Sequence, residues 1–199
     1  MRSMKKFIVL MAVALMATLS NEVFAQTETM DSLTNPKTLR DAERARQKAA
    51  QEIEESAAYA EAVKALEEKQ FVLEADQVIF KRGETAYVNT NTNFVLVNQN
   101  RGTVQVAFNT HFAGPNGIGG VTVDGTVSGV KMKTDKRGNV TYSFSIMGTG
   151  ISAQVFMTLV NGDNEATVSI SPNFNSQTLT LRGKIISLEQ SNIFKGRSW

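Results

Sequence analysis

From Asn139 to Met147 the chain changes character at every step. Val140, Tyr142, Phe144 and Ile146 are apolar, while Thr141, Ser143 and Ser145 between them carry hydroxyls. Side chains two residues apart share a face only on an extended backbone, so this run predicts a strand with one face on a core and the other in water. The rhythm returns in Ile151, Ala153, Val155, Met157 and Leu159, with Ser152, Gln154 and Thr158 opposite. It returns again in Val104, Val106 and Phe108, in Ala166, Val168 and Ile170, and in Leu179 and Leu181. Asp135-Lys136-Arg137-Gly138 and Asn161-Gly162-Asp163-Asn164 separate successive runs and carry hairpin chemistry.

With Phe71–Phe80, Tyr87–Asn98 and Val121–Lys133 the count reaches about eight strands. Two runs change parity partway. Phe71, Leu73 and Ala75 give way to Val78 and Phe80, and Val121, Val123 and Val127 give way to Val130 and Met132. Each slip predicts a bulge or bend, near Asp76-Gln77 and near Gly129. The expected class is therefore mainly β: an antiparallel barrel-like fold or a two-sheet sandwich.

The chain ahead of Gln70 reads differently. Arg2, Lys5 and Lys6 precede the apolar run Phe7–Leu19, and Val23-Phe24-Ala25 offers a small-residue cleavage site. That order predicts a cleavable signal peptide over residues 1–25. The apolar run is short of the roughly 20 residues that span a bilayer. No cysteine follows it to take a lipid, so the expected product is a periplasmic or secreted protein with no lipoprotein anchor and no transmembrane segment after cleavage. Residues 26–36 form a polar lead-in, and Asn35-Pro36 is a suitable helix start. Residues 37–69 contain no Gly or Pro and are rich in Ala, Glu, Lys, Arg and Gln, which predicts a helix. Its apolar stripe is thin: Leu39, Ala42, Ala49, Ile53, Ala57 and Ala60, with bulk only at Tyr59, Val63 and Leu66. The C-terminal turns are expected to dock on the β domain, residues 70–199, while the N-terminal half projects or docks weakly.

Composition closes several classes. Three of the 21 basic residues and one of the 19 acidic ones fall in the leader, which leaves 18 of each. The apparent basicity belongs to the leader and gives no support for nucleic acid as a partner. The cluster Lys131, Lys133, Lys136 and Arg137 is explained as protection of an edge strand, without aromatics for base stacking. The absence of cysteine removes disulfides, thiol catalysis and thiolate metal sites. A transmembrane barrel needs aromatic girdles, and the chain has three Tyr and one Trp.

The stretch Phe108-Asn109-Thr110-His111-Phe112-Ala113-Gly114-Pro115-Asn116-Gly117-Ile118-Gly119-Gly120 resembles a family of exported Bacteroidetes proteins. So do Gly148-Thr149-Gly150-Ile151-Ser152 and the ending Glu189-Gln190-Ser191-Asn192-Ile193-Phe194-Lys195-Gly196. That family is catalogued as domain of unknown function number four-two-five-one, and the resemblance runs from about Leu66 to the C-terminus. It implies a periplasmic or cell-envelope setting. It brings no activity and no catalytic residues.

The Gly-rich stretch is the candidate ligand or partner loop: His111, Gly114, Asn116, Gly117, Gly119 and Gly120. Its glycines permit backbone conformations closed to other residues, and exposed amides there can cradle an anion. A phosphate loop runs from strand into helix, however, and this one leads into the strand Val121-Thr122-Val123. The plainer account is a structured connection between strands. His111 is the sole histidine. No nucleophile elbow accompanies it, since Gly125-Thr126-Val127-Ser128-Gly129 misses that spacing. Acids in the β part are scattered. The sequence thus predicts no catalytic residue, no metal site and no cofactor.

Two functional expectations follow. The first is a non-enzymatic β domain that binds a small apolar ligand, with Tyr142, Phe144, Phe156 and Phe108 lining the space and the Gly-rich loop as its mouth. The alternative is an interaction or structural module that reaches a protein partner through the helix.

Overall fold

The computed structural model describes residues 36–107, 119–149, 152–173 and 178–196. Helix α1 spans Pro36–Glu68. Nine strands follow: β1 Gln70–Ile79, β2 Thr85–Tyr87, β3 Phe94–Asn98, β4 Arg101–Ala107, β5 Gly120–Thr134, β6 Val140–Gly148, β7 Ser152–Leu159, β8 Glu165–Pro172 and β9 Leu179–Ser187. A 3-10 turn, Leu188–Gln190, comes after β9. The helix crosses between two units of the chain, one ending at Gln51 and the other starting at Glu52.

Every ladder is antiparallel, and β1 pairs with β9 as well as with β3, so eight strands close into a barrel. The ninth, β2, lies on the second half of β1. It divides the run from Tyr87 to Asn98 that reads as one strand in the sequence. Asn89 makes the break: its carbonyl accepts from the Thr92 and Asn93 amides, and its side chain accepts from the Asn91 amide at 2.9 Å. This is turn chemistry that asparagine favours.

Both parity slips are register shifts in the ladder. One lies between Ala75 and Gln77 against β9, the other between Ser128 and Lys131 against β6. Gly129 sits at the second with φ +64, a left-handed conformation that costs glycine little. An extra residue bends and twists its strand, which closure of a small barrel requires. Lys131 and Lys133 stand on the part of β5 that extends past its ladder with β4. That stretch is an edge within a closed barrel, where lysine discourages pairing.

Inward positions form one apolar core: Phe71, Leu73, Ala75 and Val78 of β1, Tyr142, Phe144 and Ile146 of β6, Val155, Met157 and Leu159 of β7, and their counterparts. Phe156 does not join them. It lies between inward Val155 and Met157, faces the outward residues Ser143 and Ser169, and is 52% exposed. The expectation that it lines the interior fails on the alternation itself. Phe108 lies outside the described residues.

The last turns of α1 cap one end of the barrel. Ala62, Ala65 and Leu66 are buried in the core, with Tyr59 and Val63 packed against it. The Tyr59 hydroxyl donates to Gly138 O in the β5–β6 turn, and Gln190 Nε2 donates to Glu61 at 2.7 Å. Lys69, at φ +55, reverses the chain into β1, and its carbonyl accepts from the Gln99 amide in the β3–β4 turn. No described helix is long and apolar enough to cross a membrane.

Candidate functional site

The end of the barrel opposite α1 is bounded by Ile79, Ala107, Gly120, Gly148, Ser152, Pro172 and Leu179, the strand ends there. The Gly-rich connection joins β4 to β5 at this far rim. Of its candidate residues, His111, Gly114, Asn116 and Gly117 lie outside the described residues. Gly119 has φ +86, and a Cβ on Gly120 would fall against the Val106 carbonyl. These two glycines therefore hold the close return of the chain into β5.

Among the described residues, Tyr142 is the polar exception inside the barrel. It is 1% exposed, and its ring packs edge-on against Phe71 at 5.4 Å and Phe144 at 6.0 Å. Its hydroxyl is buried without a hydrogen-bond partner. Desolvation pushes its pKa up to about 12, so it is a neutral O–H donor throughout the physiological range. A buried hydroxyl left unpaired costs about 1–3 kcal/mol.

A second buried polar group lies on the outer wall, at positions the alternation assigns to water. Asn93, Thr103, Gln105 and Thr122 are buried, as are outward-facing Val72 and Phe94. Around them the C-terminal segment is fastened as a strap. Ser191 Oγ donates to Glu74 at 2.8 Å, the Phe194 amide donates to Asn91 O at 2.8 Å, and Lys195 Nζ donates to Asp124 Oδ2 at 2.7 Å. Gln105 Nε2 donates to Phe194 O at 2.7 Å, and its Oε1 accepts from the Gly196 amide at 2.7 Å. Gln105 also donates to Thr92 O at 3.0 Å and accepts from Thr122 Oγ1 at 2.9 Å. Asn93 Oδ1 accepts from the Ala107 amide at 2.8 Å, pinning the last residue of β4 at the far rim. Sequence reasoning missed this network. Its only trace was the Glu189–Gly196 ending, noticed as a resemblance and not as a contact.

Burial raises the Asp124 pKa, but hydrogen bonds from Lys195 and Thr103 and the charges of Lys195 and Arg101 outweigh it, leaving the carboxyl below its ordinary value. A depressed folded pKa means the carboxylate stabilises the fold fully above its unfolded value, about 4, and loses that contribution as pH falls through the lower folded value. The strap is expected to loosen only below about pH 4. Following the Gly196 amide resonance down the pH scale checks this, and Asp124→Asn removes the transition assigned to this carboxyl. A Gly196 signal that shifts identically with pH in Asp124→Asn would contradict the assignment.

Among the described residues no group of three or more His, Cys, Asp and Glu side chains is placed to hold a metal ion. The arrangement offers a neutral donor inside an apolar barrel and a polar groove outside it.

No curated protein matches the chain. The crystal structure of a DUF4251 family protein from Bacteroides eggerthii is similar, with 68% sequence identity and a TM-score of 0.64, over 74% of this chain and 99% of that one. The model of the domain of unknown function DUF4251 matches residues 53–185, from the last turns of α1 to Ile185 in β9, and the chain belongs to that family.

Proposed function

We propose that the protein is exported to the cell envelope and that its barrel binds a small, largely apolar molecule carrying one hydrogen-bond acceptor. The Tyr142 hydroxyl carries this reading. A phenylalanine at that place keeps the ring packing and avoids the unpaired donor, so a tyrosine there is accounted for by an occupant that accepts its hydrogen. The surrounding apolar wall, with Phe71 and Phe144 beside the ring, suits a greasy molecule. The positively charged start, apolar run and small-residue site in residues 1–25 support export.

The test is native mass spectrometry of the wild type and Tyr142→Phe, each purified from its own envelope, with thermal unfolding of ligand-free samples. The wild type is expected to carry a small molecule that Tyr142→Phe holds at least tenfold less well, about 1.4 kcal/mol. Without ligand, the variant should be at least as stable as the wild type. If the wild type carries nothing, or the ligand-free variant is the less stable, the hydroxyl serves the fold alone and the reading fails.

One observation favours the alternative, a helix that reaches a protein partner: Leu39 and Ile53 of α1 are 48% and 70% exposed. Aspartate at both leaves the barrel interior untouched. Loss of assembly in gel filtration with light scattering, with ligand retention unchanged, would favour this second role.

A further inference from the structure

We propose that the outer groove formed by Glu74, Gln105 and Asp124 is a binding site for an extended peptide. In this structure the chain's own Ser191–Gly196 fills it, and at high chain concentration the same segment of a second copy takes its place. Gln105 supports the first half of this statement. Its carboxamide donates to the carbonyl of Phe194 and accepts from the amide of Gly196, bracketing Lys195. A neighbouring parallel strand makes the same pair of bonds around a residue, so a single side chain stands in for a strand edge. Thr92 O and Thr122 Oγ1 bind the other sides of the amide and fix its orientation.

Reading the main chain gives affinity, and the flanking carboxylates give selectivity. Glu74 accepts from the Ser191 hydroxyl and, at 3.4 Å, from the Asn192 amide, while Asp124 takes the Lys195 ammonium. The ligand is therefore an extended segment with a hydroxyl four residues ahead of a lysine and a glycine just after it.

The second half rests on how the segment is held. Phe194, its largest apolar side chain, is 60% exposed, so polar contacts fasten the segment without a buried aromatic anchor. Lifting it uncovers the Gln105 amide, fully buried here and bonded to the segment's main chain. Uncovered, that amide keeps its bonds to Thr92 O and Thr122 Oγ1 but loses the two to the segment, which favours any matching cover, and another copy's tail matches by construction. Contacts within and between chains are then the same, so concentration decides between them, against an effective concentration of about a millimolar for a short tether.

The chain contains no cysteine, which makes cross-linking selective. Asp124→Cys and Lys195→Cys are placed separately and together in the full chain, and a short bismaleimide is added. The double variant is expected to close within one chain at low concentration. An equal mixture of the single variants at about millimolar concentration should give a covalent heterodimer whose yield falls when the mixture is diluted before cross-linking and when a synthetic peptide of residues 189–199 is present. The proposal is overturned by a double variant that does not close. It is equally overturned by heterodimer no more abundant than the homodimers of each single variant, or by heterodimer that the peptide does not suppress.

Discussion

Alanine at Gly183 is expected to destabilise the protein by about 3 kcal/mol or more, enough to lower its thermal midpoint by roughly 10 °C. Gly183 lies in β9 opposite Ala75, at the bulge where β9 and β1 close the barrel. A Cβ there would collide with the Glu74 carbonyl oxygen and approach Ala75 Cα to 2.6 Å and the Glu74 carbonyl carbon to 2.7 Å. Each obstacle is backbone, so no side-chain rotation relieves it and the two strands must separate. That opens the one ladder joining the ends of the β chain. Alanine at Gly162, in the β7–β8 turn, is the control: nothing lies within 4 Å of its added Cβ, although its φ of +98 imposes a local strain of about 1 kcal/mol. Thermal unfolding should rank Gly183→Ala well below Gly162→Ala. Equal losses would show that the seam yields easily and that closure contributes little to stability.

Alternation made the strands legible because period 2 is a local property. The two bulges were legible for the same reason, since one extra residue moves every later side chain to the opposite face, as at Val78 and Val130. Closure was not legible. Whether β1 meets β9 depends on accumulated twist, and a barrel and a sandwich share the same inward and outward pattern. The split of Tyr87–Asn98 was visible in Asn89, Asn91 and Asn93, but the apolar residues on either side outweighed them. Phe156 was misplaced by its aromatic character when its parity already put it outside. The strap was hidden for a deeper reason: Gln105 and Thr122 occupy outward positions that read as wet, and only an irregular segment far along the chain, 89 residues from Gln105 at Phe194 O, shows them to be dry. Tyr142 was assigned inward correctly, yet a missing hydrogen-bond partner is a property of space that no pattern encodes.

Leu66→Ala is expected to cost about 2–5 kcal/mol, while Ile53→Ala on the same helix should change stability by less than about 0.5 kcal/mol. Leu66 is 1% exposed at the capped end of the barrel, in the same core as Phe71, whereas Ile53 is 70% exposed. Alanine is the better helix former of the two, so intrinsic propensity favours Ala in both substitutions and cannot account for a loss at Leu66. The same contact accounts for two alanines on the buried face of the helix. Ala62 and Ala65 are 0% and 3% exposed, so they are small because the helix lies close against the barrel end, and Leu66 supplies the volume that fills it. Enlarging Ala62 to leucine should therefore destabilise too, by about 1–3 kcal/mol, through overpacking. Chemical denaturation of the three variants checks the account: a loss at Leu66 and Ala62 with none at Ile53 requires a cap seated on the core. A tolerated Leu66→Ala would mean that the barrel keeps its interior dry without the helix, and that α1 is attached to the domain by its polar contacts with Gly138 and Gln190.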